Sequence, residues 1–328
     1  MACNTFLKIT LTCKQEFVIV HPKPDDAKNY ESEPFINELI RKIPEEIDQL
    51  ETAHRLIFYE AVGHIISAEQ DPNVRKYLLE GLFGDLWATW ESIIKEAYTN
   101  MDVLKNEKYI EQISYIIRIH ERVAFGVGHF FYVCLAKIYL DMLKIYMFYS
   151  QLISTEVKNN GKHILQWTIT KKMRGIRKDI LRLITTYMEK TEDPHLVAEN
   201  FVLPVLEVLN DYRNNIAEAR EADVTILFST IIQKLSFAIT GAIPQILELA
   251  FTANIQMISQ DFNSFPDHRV NFFEFLKAVV SNCFTALFNI PPDQFRTVID
   301  CIIWAFKHDH PNISMMGLDT LIVVLKNV

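Results

Sequence analysis

The stretch PHLVAENFVLPVLEVLNDY, residues 194–212, opens on a proline, carries apolar residues at helical spacing, and reaches an Asp-aromatic pair seventeen residues after its start. The same frame returns twice more. Pro244 precedes Asp261-Phe262 and Pro292 precedes Asp309-His310 by the same interval, and the three starts lie 50 and 48 residues apart. Each unit reads as a helix of about sixteen residues, roughly 24 Å long, followed by a second helix. Proline suits the first helical turn, where its missing N–H would have no intrahelical partner. An Asp at the far end suits a break, because its carboxylate can accept hydrogen bonds from free backbone amides.

A repeat of paired helices at this period falls at or just beyond the upper end of the HEAT and armadillo range. The expected fold class is therefore all-α, an α-solenoid of HEAT-type helix pairs. Helices are predicted at 2–19, 33–43, 50–68, 72–99, 107–126, 129–159, 166–190, 194–212, 221–239, 243–260, 266–288, 292–308 and 312–327, thirteen in all. In the seventh, Ile180, Leu183, Ile184 and Tyr187 share one face and Lys178, Asp179 and Arg182 take the other. Residues 21–32, with Pro22, Pro24 and five charges, read as a loop. Val224–Ala250 is apolar, yet Gln233, Lys234, Pro244, Gln245 and Glu248 cut it into pieces too short for a span of roughly 20 residues, which makes it two buried helices.

Composition agrees with long helices and few tight turns. Only nine glycines occur in 328 residues and 49% of residues are hydrophobic, enough for a continuous core without a linker between domains. A formal net charge of −8 argues against nucleic acid as a direct partner and favours a basic protein ligand. Cys3, Cys13, Cys134, Cys283 and Cys301 form no CxxC pair and read as buried thiols of a reducing compartment, nucleus or cytosol.

Chemistry is hard to find. GxSxG, P-loop, GxGxxG and HExxH patterns are all absent, so no catalytic residue, cofactor or metal ligand is assigned. Lys307-His308-Asp309-His310 lies at a helix end, where consecutive side chains point apart and cations meet free carbonyls. The basic run Lys171, Lys172, Arg174, Arg177 and Lys178 reads as a solvated helix face.

The segment VAENFVLPVLEVLNDYRNNIAEAREAD at 197–223 resembles the exportin-1 family, nuclear export receptors for leucine-rich signals within the importin-β/karyopherin superfamily. The likeness extends through IYLDML at 138–143, QDFNSFPDHRVNFF at 260–273 and IPPDQFRTVIDCIIWAFKH at 290–308. Three places depart from the family pattern: GLFGDLWATWES at 81–92, Phe130 where a proline is usual, and the loop at 21–32.

The resemblance implies a HEAT superhelix with outer A and inner B helices, here one leading B helix followed by about six A/B pairs across 1–328. It places the family's cargo groove, reactive groove cysteine and acidic loop before Met1, and implies that the full receptor extends beyond both ends. The implied partners are the Ran GTPase in its GTP form, export cargo proteins and Phe-Gly nucleoporins, with no membrane partner, and the implied localisation is shuttling between nucleus and cytoplasm. The alternative is a HEAT scaffold organising an enzyme such as a phosphatase. Matched loop residues, facing a partner or holding the turn, are Asp211, Tyr212, Asn215, Arg220, Glu221 and Asp223, then Asp261, Phe262, His268 and Arg269.

Overall fold

Prolines mark helix starts throughout the chain. In the computed structural model, which describes residues 2–23, 26–259 and 264–327, Pro72, Pro194, Pro266, Pro292 and Pro311 each occupy the first residue of a helix and Pro244 the second. Asp71 and Asp193 stand before two of them and accept N–H bonds from Asn73 at 2.8 Å and Leu196 at 3.0 Å. The cap donates order and the proline presets φ.

The helices are α1 (Ala2–Cys13), α2 (Phe35–Glu46), α3 (Thr52–Ile66), α4 (Pro72–Thr99), α5 (Glu107–Val127), α6 (Tyr132–Asn160), α7 (Thr168–Lys190), α8 (Pro194–Val197), α9 (Leu203–Asn214), α10 (Asp223–Leu235), α11 (Ile243–Ile258), α12 (Pro266–Asn282), α13 (Pro292–Phe306) and α14 (Pro311–Asn327). Among the described residues the protein is all-α apart from a short antiparallel pair, β1 (Pro22–Lys23) and β2 (Asp26–Tyr30), in the segment read as loop from the sequence. There Glu31 N–H donates to His21 O at 2.8 Å, so the two arms satisfy backbone groups that a loop would leave to water.

The chain forms two compact units, Met1–Asp141 and Met142–Val328, with α6 contributing to both. In the first, α1 packs on α3 and α3 on α5, while α2 packs on α4. In the second, α7, α10, α12 and α14 follow one another as neighbours, α9 packs on α11, and α13 on α14. Each unit is thus built of alternating helices in two layers, which is how paired-helix repeats bury their apolar faces.

Two departures from the sequence reading have physical causes. The helix expected over 194–212 is interrupted by a π turn, Ala198–Val202. Pro204 has no N–H for the carbonyl four residues back and would clash with it, so the chain widens just upstream. The apolar run 224–250 does divide into α10 and α11, separated by a 3₁₀ segment at Ser236–Ala242. Of the cysteines, Cys13, the last residue of α1, is exposed and only the other four are buried.

The α3–α5 contact is close enough to require glycine. A Cβ on Gly126 would stand 2.7 Å from both Glu60 O and His64 N, which are backbone atoms of α3 that cannot swing aside. Gly126→Ala is expected to cost about 2 kcal/mol through forced separation of the two helices. Urea unfolding measures it, and an unchanged midpoint would mean that the helices already stand further apart.

Candidate functional site

The turn between α9 and α10, residues 215–222, holds a buried polar network of the second unit. It is assembled by α7. The apolar stripe Met173, Ile176, Ile180, Ile184 and Tyr187 carries Arg177 into the interior with it, and Arg177 is 1% exposed. Its guanidinium donates to Ala219 O at 2.8 Å, to Glu221 Oε1 at 3.2 Å and to the Tyr146 hydroxyl at 3.2 Å, with Asp211 Oδ2 4.0 Å away. Burial works against its charge, but Tyr146, Glu221 and Asp211 more than offset this and hold its pKa above the usual arginine value.

Glu221 is likewise 1% exposed and is clasped from outside by Arg174, whose Nε and Nη2 donate to its two oxygens at 2.7 and 3.0 Å. This is the planar fork that arginine alone offers. Lys178 Nζ stands 3.9 Å from Glu221 and 3.8 Å from Asp223. The run read as a solvated basic face is therefore corrected. Arg174 and Arg177 belong to the turn's inner wall, because 177 falls in register with the apolar stripe.

Asp211 lies inside the last turn of α9, which continues to Asn214, and its carboxylate accepts the Ser150 hydroxyl at 2.6 Å instead of backbone amides. Asn215 Nδ2 in turn donates to Ser150 Oγ at 2.7 Å. Burial raises the Asp211 pKa, against the lowering effect of Ser150 and Arg177. Arg220 points the other way, donating to Ala253 O at 3.0 Å and Arg213 O at 3.1 Å, both carbonyls. Burial lowers its pKa.

Tyr212 is 1% exposed and links α9 to α11 and α12. Its hydroxyl lies 2.8 Å from Asn254 Oδ1 and 2.8 Å from His268 Nδ1. Asn254 Nδ2 is committed to Ala250 O at 2.8 Å, so Asn254 presents its oxygen and takes the phenolic proton. His268 must then carry its own proton on Nδ1 and donate it to the Tyr212 oxygen. Arg269 donates to Ile258 O at 3.0 Å and to Ser264 O at 3.4 Å, which closes the approach to α12. Asp261 and Phe262 lie outside the described residues.

Of the expected residues, Asp211, Asn215 and Glu221 gather around Arg177 and Ser150, Tyr212 meets His268 and Asn254, and Arg220 and Arg269 bond to carbonyls, so Glu221 is removed from any outward surface. Two acidic residues here still reach solvent: Asp223, with 35% of its side chain exposed, and Glu218, 25% exposed and paired with Lys162. Tyr146, Ser150, Arg174, Arg177 and Asn254 escaped the sequence reading as members of this network. A charged residue in phase with an apolar stripe was the available signal for Arg177. Among the described residues, no group of three His, Cys, Asp or Glu is placed to hold a metal ion.

Removing only the Tyr212 hydroxyl strands a buried acceptor on Asn254 and a buried donor on His268. Tyr212→Phe is therefore expected to lose about 2 kcal/mol. Thermal or urea unfolding checks it, and a neutral result would show that water replaces the hydroxyl.

Residues 134–328, which contain this whole network, match the family described as CRM1 C terminal. The chain belongs to the CRM1 family. Over its full length it is also 38% identical to Protein EXPORTIN 1B of Arabidopsis thaliana, 37% to Exportin-1 of Dictyostelium discoideum and 36% to Exportin-1 of Drosophila melanogaster. It spans 30% of the length of each of these relatives. The phosphatase-scaffold alternative finds no support in them. Inside the turn, Arg174, Arg177 and Arg220 are bonded to carbonyls and carboxylates, which ties α7 and α11 to it.

Proposed function

We propose that this chain is one continuous stretch of a nuclear export receptor, a binding scaffold without chemistry of its own that carries leucine-rich-signal cargo together with Ran-GTP. The observation that supports this is identity of 36–38% along all 328 residues to proteins named as exportins, with no region left unmatched. The two-layered helix pairs supply the physical means, since stacked repeats present long surfaces with rigidly spaced side chains. Shuttling between nucleus and cytoplasm, and docking on Phe-Gly nucleoporins, follow from the same reading.

At the α9–α10 turn the reading assigns two different roles. Arg177, Glu221, Tyr212 and His268 hold the turn, and Asp223 is the residue left to meet a basic partner surface. Such an exposed charge acts mainly on association rate and is screened over about 8 Å at physiological salt.

The test is a chimera in which this chain replaces the matching stretch of the Arabidopsis relative. A reporter carrying a leucine-rich signal is expected to leave the nucleus in cells that depend on the chimera. A chimera that is folded and expressed, yet leaves the reporter nuclear and does not associate with GTP-loaded Ran, would overturn the reading.

A further inference from the structure

The single Asn-Gly pair of the sequence, Asn160-Gly161, stands where α6 ends, inside the second unit. Gly161 takes φ +90°, a backbone region that favours glycine, and closes the helix by giving its N–H to Val157 O at 2.8 Å. Asn160 Nδ2 donates to Glu156 Oε2 at 2.7 Å. Asn159, Asn160, Gly161 and Lys162 are all exposed, so these two bonds belong to a last turn that opens at low cost. Once it opens, the side-chain carbonyl carbon of Asn160 can close a ring on the nitrogen of Gly161, with no side chain at 161 in the way.

His163 adds a second, independent observation. Its ring lies against Gly161, where an added Cβ would stand 3.6 Å from His163 Nδ1 and 4.0 Å from its Cε1. Trp167 meets the same ring edge-on at a centroid distance of 5.9 Å and helps to hold it there. An imidazole so placed can take the Gly161 amide proton, the step that makes a backbone nitrogen nucleophilic. The joint also reaches the α9–α10 turn, because Lys162 Nζ pairs with Glu218 Oε1 at 2.5 Å.

We infer that Asn160 is a deamidation site, at which the Gly161 nitrogen attacks Asn160 Cγ with His163 as the base. His163 takes the Gly161 proton as the N–Cγ bond forms, and returns it to Nδ2 as the Cγ–Nδ2 bond breaks and ammonia leaves. Water then adds to either carbonyl of the resulting succinimide, which opens to aspartate or isoaspartate. Water is the only co-reactant. Either product sets a carboxylate beside Glu156 at the C-terminal end of α6, where the helix dipole and the like charge both oppose it. Isoaspartate also lengthens the main chain just ahead of Lys162. The change runs one way, so the site acts as a timer on the α6–α7 joint and on its tie to Glu218.

The experiment ages the whole folded chain at physiological temperature and pH, digests it, and follows residue 160 by the mass gained when asparagine becomes aspartate. Protein L-isoaspartyl methyltransferase marks the iso product. Asn160 is expected to convert while Asn214, also exposed but followed by Asn215, does not. His163→Gln, at an exposed position where folding is not at stake, should slow conversion about tenfold. In urea the two chains should convert alike, because the imidazole no longer lies against Gly161. Asn160→Gln should remove the methyl label. Amide hydrogen exchange at 217–219 is expected to be faster in the modified fraction than in the unmodified one. An Asn160 that stays intact, or that converts equally fast in folded His163→Gln, overturns the inference, and unchanged exchange at 217–219 overturns the tie to Glu218.

Discussion

Replacing Glu221 by alanine is expected to lower the unfolding free energy of the second unit by about 3–5 kcal/mol, the range for breaking a buried ion pair from one side. The size follows from what is left behind. Arg177 is 1% exposed and cannot turn to water, and its next carboxylate, Asp211, stands 4.0 Å away and already accepts from Ser150. Arg174, with 26% of its side chain exposed, can re-solvate and should contribute little to the loss. Glu221→Gln keeps an acceptor without the charge and should fall between alanine and the native protein. Asp223→Ala should change stability by less than about 1 kcal/mol, as for a surface pair. Urea unfolding of the three variants decides the matter. Equal, small effects at 221 and 223 would place both carboxylates on the surface and return Glu221 to the list of residues able to face a partner.

That contrast also shows what could be read from the residues alone. Prolines at helix starts and apolar residues at helical spacing are local signals, and they located the helix pairs from α3 to α14 because each depends on a few neighbouring residues. The fate of Glu221 depends on Arg174 and Arg177, more than forty positions earlier, so no local pattern could bury it. Arg177 itself was misjudged because a run of five basic residues looks like a wet face until its phase against Met173, Ile176 and Ile180 is taken into account. Asp211 was placed near a helix end, but its partner Ser150 sits on α6, three helices back, and only packing brings them together. Pro204 is the converse case. Its effect on the helix was predictable from chemistry, yet a sound apolar period across 194–212 concealed the π turn.

Acid should destabilise both units well before their carboxylates are titrated. His120 and His268 are pushed down from 6.5 to about 4, chiefly by burial; at His268 the nearby cations Arg220, Arg174 and Lys178 add to the effect. His120 donates from Nδ1 to Ile116 O at 2.8 Å and accepts from Trp87 on Nε2 at 3.1 Å, so both ring nitrogens are occupied in the neutral form and a second proton has no acceptor. A group whose folded pKa lies below its unfolded one stabilises the fold fully above the unfolded value. That contribution is lost as pH falls through the window from 6.5 towards 4. By linkage each histidine should cost about 2 kcal/mol by pH 5 and about 3 kcal/mol by pH 4. Asp211 works in the opposite sense, since its raised pKa favours the protonated folded form, but it acts only near the acid end of this window. The urea midpoint is therefore expected to drop steeply between pH 7 and pH 5. In His120→Gln the drop should shrink for the first unit and remain for the second. A midpoint that stays level between pH 7 and pH 5 would mean that both imidazoles find water or a carboxylate when they charge, and that the interior around Trp87 and Tyr212 is less closed than its geometry implies.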